Sequence, residues 1–302
     1  MNSVRTKAYF ELLLVSVIWG VAGAVIKYTL GGFSPFIFLT YRFFISTILA
    51  IVLFLITGIR LPKKPKVLAL SIFNGFLIST ASLGLLFLGA NKTTSIDLNL
   101  ISATAPIIIA AAGIIFLKEH VTAKEKAGIA IAFIGTLITI AEPILKMNDG
   151  VGALEGNLII FVSVLVSAAS AVLAKKVMRN EVDALTATNL SFIVGFLTLA
   201  PFTLPQIFAS KFQVLTSVPF SYHIGVFYMA IFSGTLAYYL WHRAEKSIEV
   251  SEVNLIAYLY PVFGTPLSVL WLKEKITLPF IIGSAVIALG VFLAEFKKKR
   301  YN

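Results

Sequence analysis

Long apolar runs, separated by short polar stretches, follow one another along almost the whole of this chain. A helix of about 20 apolar residues crosses the hydrocarbon core of a bilayer, and a backbone in lipid must satisfy its own hydrogen bonds. We therefore predict an all-α polytopic membrane protein with ten transmembrane helices. The predicted spans cover residues 9–29, 35–57, 67–89, 95–117, 124–141, 155–177, 184–204, 221–241, 251–272 and 279–296.

The composition excludes several classes of protein. Hydrophobic residues make up 58% of the 302 residues and charged residues 13%, which is more apolar surface than one soluble core of this length can bury. The net charge of +11 is compatible with nucleic-acid binding, but the basic residues lie between apolar runs rather than in one cluster. We therefore expect no nucleic-acid partner. The chain has no cysteine, which excludes disulfides, thiolate catalysis and cysteine-ligated metals.

The basic residues also predict how the chain crosses the membrane. With the N-terminus in the cytoplasm, most of the 25 Lys and Arg residues lie on the cytoplasmic side of the predicted spans, and Arg42 lies within a span. Basic residues accumulate in the cytoplasmic loops of membrane proteins. We expect a multi-pass protein of the plasma membrane with both termini in the cytoplasm.

Two stretches of the chain repeat each other. The run PIIIAAAGIIFLKEHVT begins at Pro106, and PVFGTPLSVLWLKEKIT begins at Pro261. The same spacing places the Asn-Leu-Ile that begins at Asn99 on the Asn-Leu-Ile that begins at Asn254, so the match extends through two whole spans. The sequence predicts two repeats of five spans, residues 1–148 and residues 149–302.

An odd number of spans in each repeat inverts the second repeat relative to the first. Such inverted repeats are related by a pseudo-two-fold axis in the membrane plane, and their solute sites lie near the midplane between them. The pattern predicts a carrier that works by alternating access. A duplicated helical scaffold without transport is the alternative.

The residues that carry the repeat also resemble a known family. Trp19-Gly20, Arg42, Ala90 with Lys92, Ala244 with Lys246, and the doubled Pro…Leu-Lys-Glu…Gly…Gly pattern resemble the EamA-type transporters of the drug/metabolite transporter superfamily. The resemblance covers essentially the whole chain. It implies a ten-helix carrier with a central cavity between two inverted repeats, peripheral fifth and tenth spans, and a solute such as an amino acid, another metabolite, a nucleotide sugar or a drug.

One polar face is repeated in the fourth and ninth spans. Asn99, Ala103 and Pro106 lie on one side of a helix, and Asn254, Tyr258 and Pro261 repeat that side. Polar groups in lipid need a partner or water, so this face is expected to line the cavity. Alternatively, the asparagines only bind neighbouring helices. Pro106 and Pro261 are expected to kink their spans for gating or, alternatively, to belong to a rigid bundle.

Arg42 is the charged residue placed deepest in a predicted span. A charge there costs about 2.5–3.5 kcal/mol on the most lenient scale, so its guanidinium must find an acceptor. One hypothesis is a substrate carboxylate or phosphate. The other is a structural pair with helix-end carbonyls or with an acid from another span.

Further candidates for solute binding have both an apolar body and a polar tip, or are polar within a span. Aromatic residues of this kind suit either an interface belt or stacking on an amphipathic solute. The candidates are Trp19, Tyr238, Tyr258, Asn74 and Ser79.

The motifs of enzymes and ATP-driven pumps are missing from the sequence. It contains no His-Glu-x-x-His, no Gly-x-Ser-x-Gly and no Walker loop, and its acids lie near the predicted span ends. We predict a secondary carrier, without a cofactor or catalytic residues, for small metabolites such as amino acids or related amphipathic solutes, by facilitated or exchange transport. A channel or scaffold is the alternative. The predicted partners are a small-molecule solute and the lipid bilayer.

Overall fold

Helices joined by turns form every regular element in the part of the chain that the structure describes, and no strand occurs there. The structure is a computed structural model, and it describes residues 3–58, 61–117, 122–140, 150–178, 182, 184–245 and 258–295. The prediction of an all-α protein is confirmed for these residues.

The helices are numbered here in chain order. Those that precede residue 149 are α1 (Ser3–Thr29), α2 (Pro35–Thr57), α3 (Pro65–Gly75), α4 (Leu83–Lys92), α5 (Ser95–Ser102), α6 (Ala105–Leu117) and α7 (Ala123–Ile140). Those that follow it are α8 (Gly150–Met178), α9 (Ala184–Ala209), α10 (Gln213–Thr216), α11 (Phe220–Phe227), α12 (Ala237–Glu245), α13 (Tyr260–Leu272) and α14 (Leu278–Glu295). Two π-helical segments, Phe76–Ser82 and Tyr228–Leu236, join α3 to α4 and α11 to α12.

Six helical stretches of the described chain are long and apolar enough to cross a bilayer. They are Thr6–Thr29, Pro35–Thr57, Pro65–Lys92, Ala153–Ala174, Leu185–Ala209 and Phe220–Trp241. Shorter apolar helices cover Ser95–Ile109, Lys126–Thr139 and Leu278–Leu293. Large apolar side chains such as Leu55, Phe202 and Leu270 are 72–76% exposed on the outside of the bundle, where lipid surrounds them. The protein is an integral multi-pass membrane protein.

The fourth predicted span is two helices rather than one kinked helix. Helix α5 ends at Ser102 and α6 begins at Ala105, with a turn between them. Pro106 lies in the first turn of α6. Backbone N–H groups there have no acceptor within the helix, so proline costs no helical hydrogen bond. Pro261 has the same place in α13, which follows a short 3₁₀ turn at residues 258–259. The prolines therefore begin helices.

Contacts at the C-terminal end of α4 establish the directions of α1 and α8. Lys27, in the last turn of α1, donates a 3.0 Å hydrogen bond to the carbonyl oxygen of Ala90. Glu155, near the start of α8, forms a 2.6 Å ion pair with Lys92. The end of α1 and the start of α8 thus meet the same end of α4. Helices α1 and α8 therefore run in opposite directions.

Glycines bring α7 and α14 into close antiparallel contact. A Cβ atom added to Gly135 would lie 2.7 Å from Ile287 N and 2.9 Å from Gly283 O. At the other end of the contact, a Cβ on Gly290 would lie 2.6 Å from Gly128 O. Because the lower number on one helix faces the higher number on the other, the helices are antiparallel. Their backbones touch because no side chain separates them.

A buried aromatic core lies between α2, α4 and α9. Phe38, Phe43 and Phe87 are fully buried, and the rings of Phe38 and Phe87 meet edge to face at 4.9 Å. Helix α9 packs on α2 through Phe192, whose ring lies 6.3 Å from that of Phe43. This core surrounds Arg42.

Candidate functional site

A cavity of about 540 Å³ lies at the break between α5 and α6. Leu100 and Ala103 line it from the first half of the chain, and Tyr258 and Pro261 line it from the second. Helix α14 supplies the opposite wall with residues between Ser284 and Phe292. We call this space the break cavity. The sequence places Ala103, Tyr258 and Pro261 on helix faces that are expected to line a cavity, and the structure brings these three residues together.

The break cavity has a largely apolar lining with a few hydroxyl groups. Its hydroxyl-bearing lining residues are Tyr258 and Ser284, and the others are aliphatic, aromatic or proline side chains. No acceptor or donor among the described residues binds the Ser284 hydroxyl. Ligand sites commonly combine an apolar lining with a few polar groups that orient the ligand. The cavity can therefore hold an amphipathic molecule.

Asn99 lies one helical turn before the cavity, between α1 and α13. Its amide fills the space that a Cβ atom would take on Gly23 or on Gly264, so no larger residue fits at either position. Its side chain is 3% exposed, and its Nδ2 has no hydrogen-bond partner among the described residues. Asn99 therefore packs two helices together and does not line the break cavity.

Arg42 is buried in the middle of α2 without a hydrogen-bond acceptor for part of its guanidinium. The residue is 2% exposed, and no group in the described chain accepts a bond from its Nε or Nη1. The guanidinium carbon lies 5.7 Å and 5.9 Å from the ring centres of Phe43 and Phe87, within cation–π range. Ser46, one turn further along α2, is also fully buried with an unbonded hydroxyl. Nε and Nη1 of Arg42 and the Ser46 hydroxyl are therefore buried donors without an acceptor among the described residues.

Trp19 belongs to an aromatic cluster that connects Arg42 with α13. Its ring centre lies 5.2 Å from that of Tyr238, 5.2 Å from that of Trp241 and 6.0 Å from that of Tyr260. The indole N–H donates a 2.9 Å bond to the carbonyl oxygen of Ser233 in the second π-helical segment. Tyr238 is also the electrostatic neighbour of Arg42. The predicted residues Trp19 and Tyr238 thus lie in one aromatic cluster near Arg42, and none of the three lines the break cavity.

The remaining predicted site residues lie elsewhere. Asn74 accepts a 2.9 Å hydrogen bond from the Ser170 hydroxyl of α8, so it joins two helices. Ser79 is 1% exposed and packs against Gly195 of α9. Asn254 lies outside the described residues.

A second ion pair holds α1 to α12. Glu11 is 4% exposed and accepts hydrogen bonds from Nε and Nη2 of Arg243, the first at 2.9 Å. The bond to Glu11, with a weaker one to Tyr239, raises the pKa of Arg243 above its ordinary value. Arg243 therefore stays charged, and Glu11 keeps a partner, at any physiological pH.

Sequence reasoning missed the contribution of α14 and the π-helical segments. Helix α14 reads as a uniform apolar run, so its inward face could not be told from its lipid face. The π-helical turns have no simple sequence signal, although such turns are frequent at functional sites. The described residues contain no cluster of three His, Asp or Glu side chains that could hold a metal.

Comparisons with known families and proteins agree over the length of the chain. The profile of the EamA-like transporter family matches residues 6–141 and again residues 154–296. An uncharacterized transporter of Bacillus subtilis, YyaM, is 28% identical, with 97% of this chain and 96% of that protein covered. The "Probable amino-acid metabolite efflux pump" of Escherichia coli is 24% identical, with coverages of 94% and 93%.

A solved crystal structure has the same fold. It superposes with a TM-score of 0.65 at 18% sequence identity, covering 98% of this chain and all of the other. At that identity the likeness concerns the fold alone.

Proposed function

Because this chain belongs to the EamA-like transporter family, we propose that it is a secondary carrier that moves small metabolites by alternating access around the break cavity. Its relatives carry the names of transporters and of an efflux pump, which supports a membrane transporter rather than an enzyme. The proposal adds the mechanism, the site and the kind of solute.

The single observation that carries the proposal is the pair of equivalent residues in the cavity wall. The repeat spacing places Ala103 on Tyr258, and both line the break cavity. Both also lie where helical structure is interrupted just before a proline-containing helix. Discontinuous helices at the interface of two repeats are typical of carrier sites.

We also retain the proposal of ten transmembrane helices in two inverted repeats, residues 1–148 and 149–302. Two matches to one family profile support it, as do the opposite directions of α1 and α8. The π-helical segments Phe76–Ser82 and Tyr228–Leu236 fall at corresponding places in the two repeats. The positive-inside bias of the loops supports the further proposal that both termini lie in the cytoplasm, for a protein that we propose resides in the plasma membrane.

The chemistry of the site favours an amphipathic solute with one anionic group. The break cavity supplies apolar surface, and Arg42, which lies outside the cavity lining near Trp19 and Tyr238, supplies a buried cation with N–H groups to donate. The proposal requires that the solute reach both. A carboxylate is the natural partner of such a guanidinium. Amino acids have both features, and one relative is named as an amino-acid metabolite pump. We therefore propose amino acids or similar metabolites as the solutes.

Counterflow in proteoliposomes tests the carrier. Vesicles are loaded with a mixture of unlabelled amino acids, and labelled members are added outside one at a time. A carrier gives saturable entry that is accelerated by internal solute, because its site alternates between the two sides. Flux without saturation or trans-stimulation would identify a channel, and no flux of any amino acid by folded protein would contradict the proposed solutes and favour a scaffold.

A bulky residue in the break cavity is expected to block transport. Ala288 of α14 lines the cavity, so Ala288→Trp places an indole where the solute would bind. We expect counterflow to fall by about tenfold or more, since that corresponds to a loss of only about 1.4 kcal/mol of solute binding.

The matched control for this change lies on the same helix. Ala285 is not part of the cavity lining, so Ala285→Trp adds the same bulk beside the cavity rather than within it. Counterflow by that variant should equal that of the unchanged protein. Equal transport by the two tryptophan variants would rule out the break cavity as the solute path.

A further inference from the structure

The repeated Leu-Lys-Glu motif ends α13 with a carboxylate that binds a different helix. Glu274 accepts hydrogen bonds from the backbone N–H groups of Ser95 and Ile96, at 2.8 Å and 3.0 Å, and from the Ser95 hydroxyl at 3.0 Å. These groups form the first turn of α5. Lys273 makes the geometry possible, because its left-handed backbone at φ 58° ends α13 immediately before Glu274.

The first turn of α5 and a nearby lysine surround the Glu274 side chain with positive charge. The N-terminus of a helix carries partial positive charge and N–H groups without intrahelical partners, which a carboxylate satisfies. Lys27, whose ammonium binds the carbonyl oxygen of Ala90, also attracts the Glu274 carboxylate. Ser95 and Ile96 are 1% and 3% exposed, so little water competes for their N–H groups.

From Glu274 toward the break cavity, a series of further contacts joins α5 to α13. We call this series the ladder. The Ser95 hydroxyl, which donates to Glu274, lies 2.7 Å from the hydroxyl oxygen of Ser268, and the single Ser268 proton goes either to Ser95 or to the carbonyl oxygen of Gly264 at 2.9 Å. Gly264 is packed against the Asn99 amide. Helix α5 continues through Leu100 to Ser102, and the cavity begins at Leu100 and at Ala103 in the following turn. The ladder therefore closes α5 against α13 along the whole distance from the cavity to this face of the protein.

We propose that the Glu274 carboxylate is a latch that keeps the break cavity closed on this face, and that its release from the first turn of α5 opens the cavity there. The inference rests on the proposed carrier function and adds the residue that sets the equilibrium between its closed and open forms. A solute that leaves on this face has to pass between α5 and α13, so the three bonds to Glu274 must break in each cycle. The sequence equivalent, Glu119, lies outside the described residues.

Thiol labelling measures this equilibrium directly, since the chain has no cysteine of its own. Ala103→Cys places one thiol in the cavity, and Asn91→Cys, in a separate protein, marks the Glu274 face with an exposed thiol. A membrane-impermeant maleimide is added to sealed vesicles of known orientation. Adding Glu274→Gln to Ala103→Cys should raise labelling from the Glu274 face about tenfold, equivalent to about 1.4 kcal/mol of lost closure.

The control and a second variant keep the test decisive. Glu155→Gln removes a carboxylate on the same face that pairs with Lys92 and does not join α5 to α13, so it should leave labelling unchanged. Ser95→Ala removes one of the three bonds to Glu274 and should raise labelling by a smaller factor. If Glu274→Gln does not fold, labelling of the Ser95→Ala protein tests the latch instead.

Two outcomes separate the latch from the carrier function. Equal labelling in the Glu274→Gln and Glu155→Gln backgrounds, with normal counterflow, would refute the latch and leave the carrier intact. Faster labelling with Glu274→Gln in a protein that shows no counterflow for any solute would support the latch and refute the carrier.

Discussion

Arg42→Gln is expected to abolish counterflow and to leave the protein folded. If the guanidinium binds an anionic solute group through Nε and Nη1, the neutral amide loses charge-assisted hydrogen bonds worth about 1.5–3 kcal/mol each. The rate of counterflow should therefore fall by about a hundredfold or more, as about 2.7 kcal/mol of lost binding implies. Initial rates in proteoliposomes of unchanged and variant protein give the measurement.

The thermal stability of the same variant distinguishes a binding role from a structural one. A buried charge with Nε and Nη1 lacking an acceptor destabilises the folded state, so its removal should leave the unfolding temperature unchanged or higher. Arg243→Gln is the matched control, because that change leaves the buried carboxylate of Glu11 without its partner and should lower the unfolding temperature. If Arg42→Gln were the less stable of the two, Arg42 would be a structural residue and the solute-binding hypothesis would be lost.

Gly290→Leu is expected to prevent the protein from folding. A Cβ atom at this position would lie 2.6 Å from Gly128 O and 2.7 Å from Ala132 Cα, and backbone atoms cannot move aside as a side-chain end can. Helix α14 would have to leave α7, at a cost of about 3 kcal/mol or more, the upper end of the usual range for overpacking. The yield of monodisperse protein in detergent and its unfolding temperature measure the effect.

Substitutions at two other glycines test the same reasoning, one where harm is expected and one where it is not. Gly135→Leu meets Ile287 N and Gly283 O at the other end of the same contact and should be as damaging. Gly84→Ala adds a methyl group 3.7 Å from a ring carbon of Phe36, which is ordinary contact, and should be tolerated. A stable Gly290→Leu protein would show that α7 and α14 do not need to touch.

The sequence predicted the helices well because lipid leaves few alternatives to a helix of membrane length. Apolar length alone placed α2 at Pro35–Thr57, the predicted range. It could not predict the turn at Ala103, because the residues around it are as apolar as those of a continuous helix. The proline at 106 indicated an irregularity, and only three-dimensional packing decides between a kink and a new helix.

The candidate site could be predicted in part. Periodicity placed Ala103 and Tyr258 on equivalent faces of two spans, and both line the break cavity. Hydropathy identified Arg42 as a charge whose burial in a span costs free energy. Periodicity also suggested Asn99 as a lining residue, but the absence of side chains at Gly23 and Gly264 draws its amide between α1 and α13. The bond from Ser95 to Glu274 joins residues far apart in sequence, so no local pattern could have revealed it.

The contact between α7 and α14 is symmetric, because equivalent residues of the two repeats meet each other reciprocally. In the repeat spacing Gly128 corresponds to Gly283 and Gly135 to Gly290, and the structure pairs Gly135 with Gly283 and Gly128 with Gly290. Such reciprocal pairing is what two identical subunits produce when they meet across a two-fold axis. The same four glycine positions would therefore bring two copies of one repeat together across such an axis without any further change in sequence.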